Sequence, residues 1–232
     1  MENKLEQLKE DPNQEEEKIE TSKKRQKNIN PLCHRILIIA VIVTSILSVY
    51  LLYKLCSSCK SSSNFMQLAE SRFSVRKFLS KPVEPEKINK ILKVVQLAPT
   101  AANLQPQKVY VITKEEDKKK LESVTKYTFN APMFLLVCSD KTKAWKHKNE
   151  EIDSTEIDGS IVATHILFEV HELGLGTTFV RSFETEKLKK LLNIPENMVP
   201  VALLPIGYPH EEAKPSKYHY QKKDIKQLVQ YL

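Results

Sequence analysis

Apolar and polar positions divide this chain into three stretches of different character. From Ile36 to Tyr53 eighteen residues pass without a charge, ILIIAVIVTSILSVYLLY. At about 1.5 Å rise per residue they make roughly 27 Å of helix, close to the ~30 Å hydrocarbon core of a bilayer, and Lys54 can snorkel beyond it. The pattern predicts one transmembrane helix over residues 35–55, with the membrane engaged through 36–55. The preceding residues, 1–34, alternate acidic and basic clusters (EEEKIE, SKKRQK) without apolar periodicity and read as a charged, disordered tail. Some 35 polar residues ahead of the run argue against a cleaved signal peptide. Residues 56–65 form a serine-rich linker, and 66–232 form the folded domain.

Inside that domain Ile88, Ile91, Leu92 and Val95 recur at helical spacing behind Pro85, predicting an amphipathic helix over Glu86–Leu97. KVYVIT (Lys108–Thr113) and MFLLVCS (Met133–Ser139) are apolar runs of strand length around a charged helical segment, Glu115–Tyr127. A long apolar helix follows over Asp158–Leu173, with Gly174 placed for a left-handed cap. Thr177–Arg181 and Val199–Ile206 read as further strands, with a short helix over Lys187–Leu192 between them. Helices and strands alternate without strict βαβ regularity, so the expected class is α+β, a three-layer sandwich around one sheet.

Composition narrows the chemistry. Only four of 232 residues are glycine, and their spacing excludes both the G-x-G-x-x-G dinucleotide fingerprint and the Walker phosphate loop. The net charge of +7 comes from lysines interleaved with Glu and Asp, which reads as solvated helix faces and not as a nucleic-acid surface. Cys33, Cys56 and Cys59 flank the apolar run and Cys138 stands alone in the domain, so no internal disulfide is expected there. The C-x-x-C of Cys56 and Cys59 lacks a second pair for a zinc site and reads as acylated or idle thiols. His165 and His171 are six residues apart, about 600° around a helix, and cannot share a ligand; with His210 in a surface-type cluster, no metal site is expected. G-x-S-x-G is absent, and Cys138 lies where thiols serve as inert packing.

Three segments carry a different signal. Arg72, Ser74 and Arg76 alternate in an extended stretch and so point the same way, two guanidiniums about a hydroxyl, suited to an oxyanion, although the segment alone reads more readily as a surface strand with exposed cations. Leu97–Pro106 (LAPTAANLQP) is a rigid loop of small residues between prolines, with Thr100, Asn103 and Gln105 as uncharged hydrogen-bonding groups. Gly174 and Gly176 enter a strand together, which implies tightly turned or closely approached backbone.

These segments, S-R-x-S-V-R-K-F, A-P-T-A-A-N-x-Q-P, G-L-G-T-T and Leu203–Pro209 (LLPIGYP), resemble in order and spacing the motifs of the FMN-dependent nitroreductase superfamily, over essentially all of Met66–Leu232. The resemblance implies a nitroreductase-like sandwich with a central mixed sheet, an intertwined homodimer, and FMN at the subunit interface. It implies that Arg72, Ser74 and Arg76 hold the FMN phosphate and pyrimidine side, and that Pro99, Thr100, Ala101, Asn103 and Gln105 line the flavin. Backbone N–H groups near Val180 and Arg181 would approach flavin N5, and Lys222 with Lys223 matches a basic pair that meets the phosphate. The flavin, with no catalytic side chain, would take hydride from NADH or NADPH and pass it to a small-molecule acceptor such as a nitroaromatic or quinone. This chain departs from the motifs at Gln107, where an aromatic commonly stands, and in Asp140–Ile157, a short charged stretch where larger relatives build a substrate lid. Two alternatives stay open: an iodotyrosine-deiodinase-like reductive dehalogenase, and a membrane-tethered flavin protein for electron transfer or redox sensing.

The sidedness of the anchor is contested. Six Lys or Arg lie in the twenty residues before the span and three in the twenty from Lys54, which favours an exported domain. The domain lacks an N-x-[ST] sequon and a disulfide pair, and its donor is cytosolic, which leans the expectation toward a cytosol-facing domain.

Overall fold

The computed structural model describes residues 31–58 and 65–232. The expected tail up to Asn30 and the centre of the linker, Cys59 included, lie outside the described residues. The chain divides into two units, Met1–Ser62 and Ser63–Leu232.

In the first unit one helix, α1, spans Pro31–Ser58. Its stretch Leu32–Leu52 has mean hydropathy 2.4 and is long and apolar enough to cross a membrane. Three of its hydroxyls turn back on their own helix, Thr44 Oγ1 and Ser45 Oγ donating to the Val41 carbonyl at 3.0 and 2.8 Å and Ser48 Oγ to that of Thr44 at 2.8 Å. They therefore require no outside partner.

The second unit is built on a four-stranded sheet of β1 (Gln107–Ile112), β2 (Met133–Asp140), β3 (Gly176–Thr177) and β4 (Met198–Gly207), in the order β1-β2-β4-β3. Its ladders are antiparallel, and a parallel bridge between Ser74 and Thr177 at the β3 edge makes the sheet mixed. Every residue of β2 is buried. Met133, Leu135 and Val137 face one side, where Ile91 of α3 (Pro85–Leu97) and Val162, Ile166 and Val170 of α5 (Thr155–Glu172) pack. Phe134, Leu136 and Cys138 face the other, against Leu121 of α4 (Glu115–Glu122) and Leu188 of α6 (Thr185–Leu191). A strand covered on both faces must be apolar throughout, which is why MFLLVCS shows no alternation. The result is the three-layer α+β sandwich that the patterning implied.

Several boundaries differ from expectation. The charged helix ends at Glu122 instead of reaching Tyr127, because Thr125 turns inward and its Oγ1 donates to the Ser182 carbonyl at 2.7 Å. The strand expected over Thr177–Arg181 is β3 plus a single bridge from Val180 to Leu203, since the backbone leaves the ladder at Thr178. The long helix starts three residues earlier than Asp158 and ends at Glu172, one residue short of Leu173. Gly174 takes φ +71°, and its N–H and that of Leu175 donate to the carbonyls of His171 and Val170, both at 2.9 Å, in a Schellman pattern.

Gly176 supplies close approach. A Cβ there would stand 2.7 Å from Cβ of Val75, whose N–H donates to the Thr177 carbonyl at 3.0 Å. Gly176→Ala must push Val75 off the sheet edge, so it should cost about 1–3 kcal/mol and lower the midpoint of a thermal unfolding curve by about 3–10 °C.

A polar clasp ties α3 to the ends of β4 and α5. The Tyr208 hydroxyl donates to Glu84 Oε2 at 2.5 Å, and Lys87 Nζ donates to Tyr208 Oη at 2.9 Å and to the Leu173 carbonyl at 3.0 Å. The Tyr208 hydrogen bond, ahead of the Lys81 ammonium, holds the Glu84 pKa down at about 2 from 4.5. A depressed carboxylate pKa stabilises the fold above the unfolded value and ceases to do so as pH falls toward the folded one. The unfolding midpoint should therefore drop between pH 4.5 and about 2, and Tyr208→Phe should flatten that part of the profile; an identical profile in the variant would remove the clasp from the account.

Candidate functional site

Segment 71–79 runs along the β3 edge of the sheet. After α2 (Phe65–Ser71) the Arg72 N–H closes the helix on the Leu68 carbonyl at 3.1 Å, Ser74 bridges Thr177, and Phe78 bridges Pro209. Period-two alternation buries Val75 at 3% exposure and leaves Arg72, Ser74 and Arg76 on the opposite, accessible side. Arg76 Nη1 donates to the Ser74 carbonyl at 3.3 Å. Neither guanidinium has a carboxylate partner among the described residues. Behind Arg72, Ser71 Oγ lies 2.9 Å from Nε2 of His171, whose pKa is pushed below the usual imidazole value by burial and then by the Arg72 charge.

The loop after α3 holds its residues in unusual conformations. Ala102, Asn103 and Gln105 have φ of 50°, 54° and 49°, in the left-handed region that L-residues enter at about 1 kcal/mol or more each. Hydrogen bonds impose this shape: the Gln105 N–H donates to Thr100 Oγ1 at 3.0 Å, Gln105 Nε2 to Asn103 Oδ1 at 3.2 Å, and the Ala101 N–H to Asp158 Oδ1 at 2.9 Å. Pro99, Asn103 and Gln105 are exposed, and Thr100 and Ala101 half-buried. Gln107, where relatives would carry an aromatic, instead donates from Nε2 to the Val95 carbonyl at 3.1 Å. It secures the start of β1 to α3.

Past β3 the two proposed amides part company. Val180 donates its N–H to the Leu203 carbonyl at 3.0 Å and is buried, so it has no amide to offer a ligand. The Arg181 N–H has no acceptor among the described residues. The Arg181 side chain is exposed, 3.4 Å from Glu156 Oε1 at the start of α5. Asp158, which sequence reasoning did not single out, joins this end of α5 to the loop; only its place at the head of the predicted helix marked it beforehand.

Lys222 and Lys223 are exposed and make no hydrogen bond or ion pair among the described residues. They follow α7 (Lys217–Tyr220), whose His219 ring meets Phe73 edge-on at 6.4 Å. The tail is thus delivered to the neighbourhood of Arg72 and Ser74. The charged stretch between β2 and α5 holds a small hairpin closed by the Lys146–Asp153 bridge, with His147 N–H donating to the Ile152 carbonyl and Ser154 N–H to that of Trp145, both at 2.9 Å.

Comparison with known proteins identifies the family of this fold. The profile of the nitroreductase family matches residues 69–128 and 126–208. A nitroreductase family protein of Clostridium difficile 630 superimposes with a TM-score of 0.69 at 34% identity, covering 72% of this chain and 98% of its own. An NADPH-dependent oxidoreductase of Staphylococcus aureus is 27% identical over 192 residues, 69% of this chain and 76% of the relative. A protein of Exiguobacterium sibiricum crystallised in complex with FMN shares the fold at TM-score 0.65 and 19% identity, over 75% of this chain and 99% of its own. The chain belongs to the nitroreductase family. Its folded unit is accordingly an oxidoreductase of that type.

Cys138 takes no part in this chemistry. It is fully buried in β2, and burial pushes its thiol up to about 12. In a chain with Cys33, Cys56 and Cys59 replaced by serine, a thiol-specific reagent at pH 8 should leave native Cys138 unmodified and label it only after denaturation.

Proposed function

We propose that this protein is an FMN-dependent oxidoreductase that passes hydride from NADH or NADPH to an electron-poor small molecule such as a nitroaromatic or quinone. The reading is carried by Arg72 and Arg76, two guanidiniums on the same side of an extended segment with no carboxylate partner among the described residues, flanking the Ser74 hydroxyl. Like charges held together in this way suit a dianionic phosphate, whose oxygens match the guanidinium fork. FMN, when bound, supplies the hydride chemistry. Lys222 and Lys223 add cations from the tail beside Phe73. The Pro99–Gln105 loop is proposed to present Thr100, Ala101, Asn103 and Gln105 to the ring, its left-handed turns setting the direction of each group. The free Arg181 amide is the donor best placed to meet a ring nitrogen, with Val180 acting only to fix its position through Leu203. Donors preset in this way stabilise charge as it develops without moving.

A homodimer is part of the proposal. Ile225, Leu228, Val229 and Tyr231 of the tail are exposed, as are Leu97, Leu104 and Ile157. Apolar side chains in these numbers on a small domain are the mark of a surface that a second copy covers. The length and hydropathy of α1 support single-pass membrane attachment, with the folded unit proposed on the cytosolic side where NADH and NADPH reside.

The test is the visible spectrum of the full-length protein purified in detergent with added FMN. Bound flavin whose absorbance bleaches anaerobically with NADH or NADPH, and returns with a nitroaromatic or quinone, is the expected result. Arg72→Ala should weaken FMN binding about tenfold to a hundredfold. A folded chain that takes up no FMN would overturn the proposal, and bound flavin with negligible turnover would reassign the protein as an electron-transfer or sensing module.

A further inference from the structure

Asp158 sits in the first turn of α5 at 1% exposure. Its Oδ1 accepts the Ala101 N–H at 2.9 Å and its Oδ2 accepts the Ser154 hydroxyl at 2.6 Å. That hydroxyl oxygen in turn accepts the Trp145 N–H at 3.1 Å. Ser154 occupies the N-cap position of α5, yet its side chain caps no amide of that helix. It is committed instead to Asp158. Among the described residues no Lys or Arg forms an ion pair with Asp158, so the buried carboxylate relies on these donors. They come from two segments distant in sequence: the left-handed loop after α3, and the hairpin that ends at Ser154.

We propose that Asp158 is a positioning residue that couples the Trp145–Ser154 hairpin to the Pro99–Gln105 loop, so that the arrangement of the hairpin sets how firmly the loop holds the cofactor. The anchor supports a strained loop: three of its residues have positive φ, and the Ala101 N–H is the bond that ties it to α5. The hairpin bears the exposed Trp145 and Ile152, so anything that binds there acts on the loop through three hydrogen bonds. Linkage makes the effect mutual: a filled cofactor site also orders the hairpin. The cofactor half of this inference rests on the FMN reading above, whereas the coupling itself does not.

The test uses the full-length protein in detergent, with Ser154→Ala, Asp158→Asn and the double variant. Amide hydrogen exchange at Ala101 is followed without flavin, and FMN affinity is followed by flavin fluorescence. Ser154→Ala touches neither Ala101 nor the loop, yet it should speed Ala101 exchange and weaken FMN binding about threefold to tenfold. Asp158→Asn should weaken binding by about tenfold or more, and the double variant should equal Asp158→Asn, because both substitutions cut one path. Ala101 protection and FMN affinity unchanged in Ser154→Ala would overturn the coupling, as would effects that simply multiply in the double variant. If Asp158→Asn does not fold, Ser154→Ala alone decides. Should the unmodified protein bind no FMN, Ala101 exchange still judges the coupling, and the flavin reading fails separately.

Discussion

The folded unit depends on one strand being buried on both faces. Along β2 successive side chains enter opposite cores, Leu135 among α3 and α5 and Leu136 among α4 and α6. Burial of each large apolar side chain is worth about 1.5–3 kcal/mol, and a one-residue slip would exchange the two sets. β2 therefore fixes its own register against β4, and through β4 the position of β3 at the sheet edge. The site inherits that placement. Ser74 meets Thr177, Val75 fills the space left by Gly176, and the Arg72–Arg76 side chains are turned outward as a consequence of where the central strand lies.

Polar groups then shape what packing has located. α5 contributes differently at its two ends. Its last turn is closed by Gly174, and His171 there touches Ser71 beside Arg72. Its first turn holds Asp158 and Glu156, one gripping the loop after α3 and the other meeting Arg181. A single helix thus reaches both the cationic segment and the strained loop, although the two are about thirty residues apart in sequence. Fixing both on one rigid element restricts the cost of ordering them to the folding of the domain, where core burial offsets it.

Much of this was legible in the chain because it rests on local rules. The spacing of Ile88, Ile91, Leu92 and Val95, the proline ahead of them, and the apolar runs of β1, β2 and β4 declare their elements directly. Gly174 declared its cap. The alternation of Arg72, Ser74 and Arg76 foretold a shared face. What the chain withheld depends on contacts far apart in sequence. Nothing near Val180 says that its amide is taken by Leu203, nothing near Thr125 says that its hydroxyl belongs to Ser182, and Asp158 reads as one more acidic residue at a helix start until Ala101 and Ser154 are brought to it. Gln107 illustrates the same limit, since nothing near it says that its side chain donates to the Val95 carbonyl.

The division of labour between Val180 and Arg181 has a consequence for how this family member can vary. Because alternate backbone amides along an extended segment face opposite ways, the number of residues between Gly176 and Arg181 acts as a length standard. An insertion or deletion of one residue there would turn the Val180 amide away from the Leu203 carbonyl and break the bridge that ties this segment to β4. The buried Thr177, Thr178 and Val180 side chains hold this stretch against the sheet, so natural variation should be sought at the exposed Phe179 and not in the count of residues.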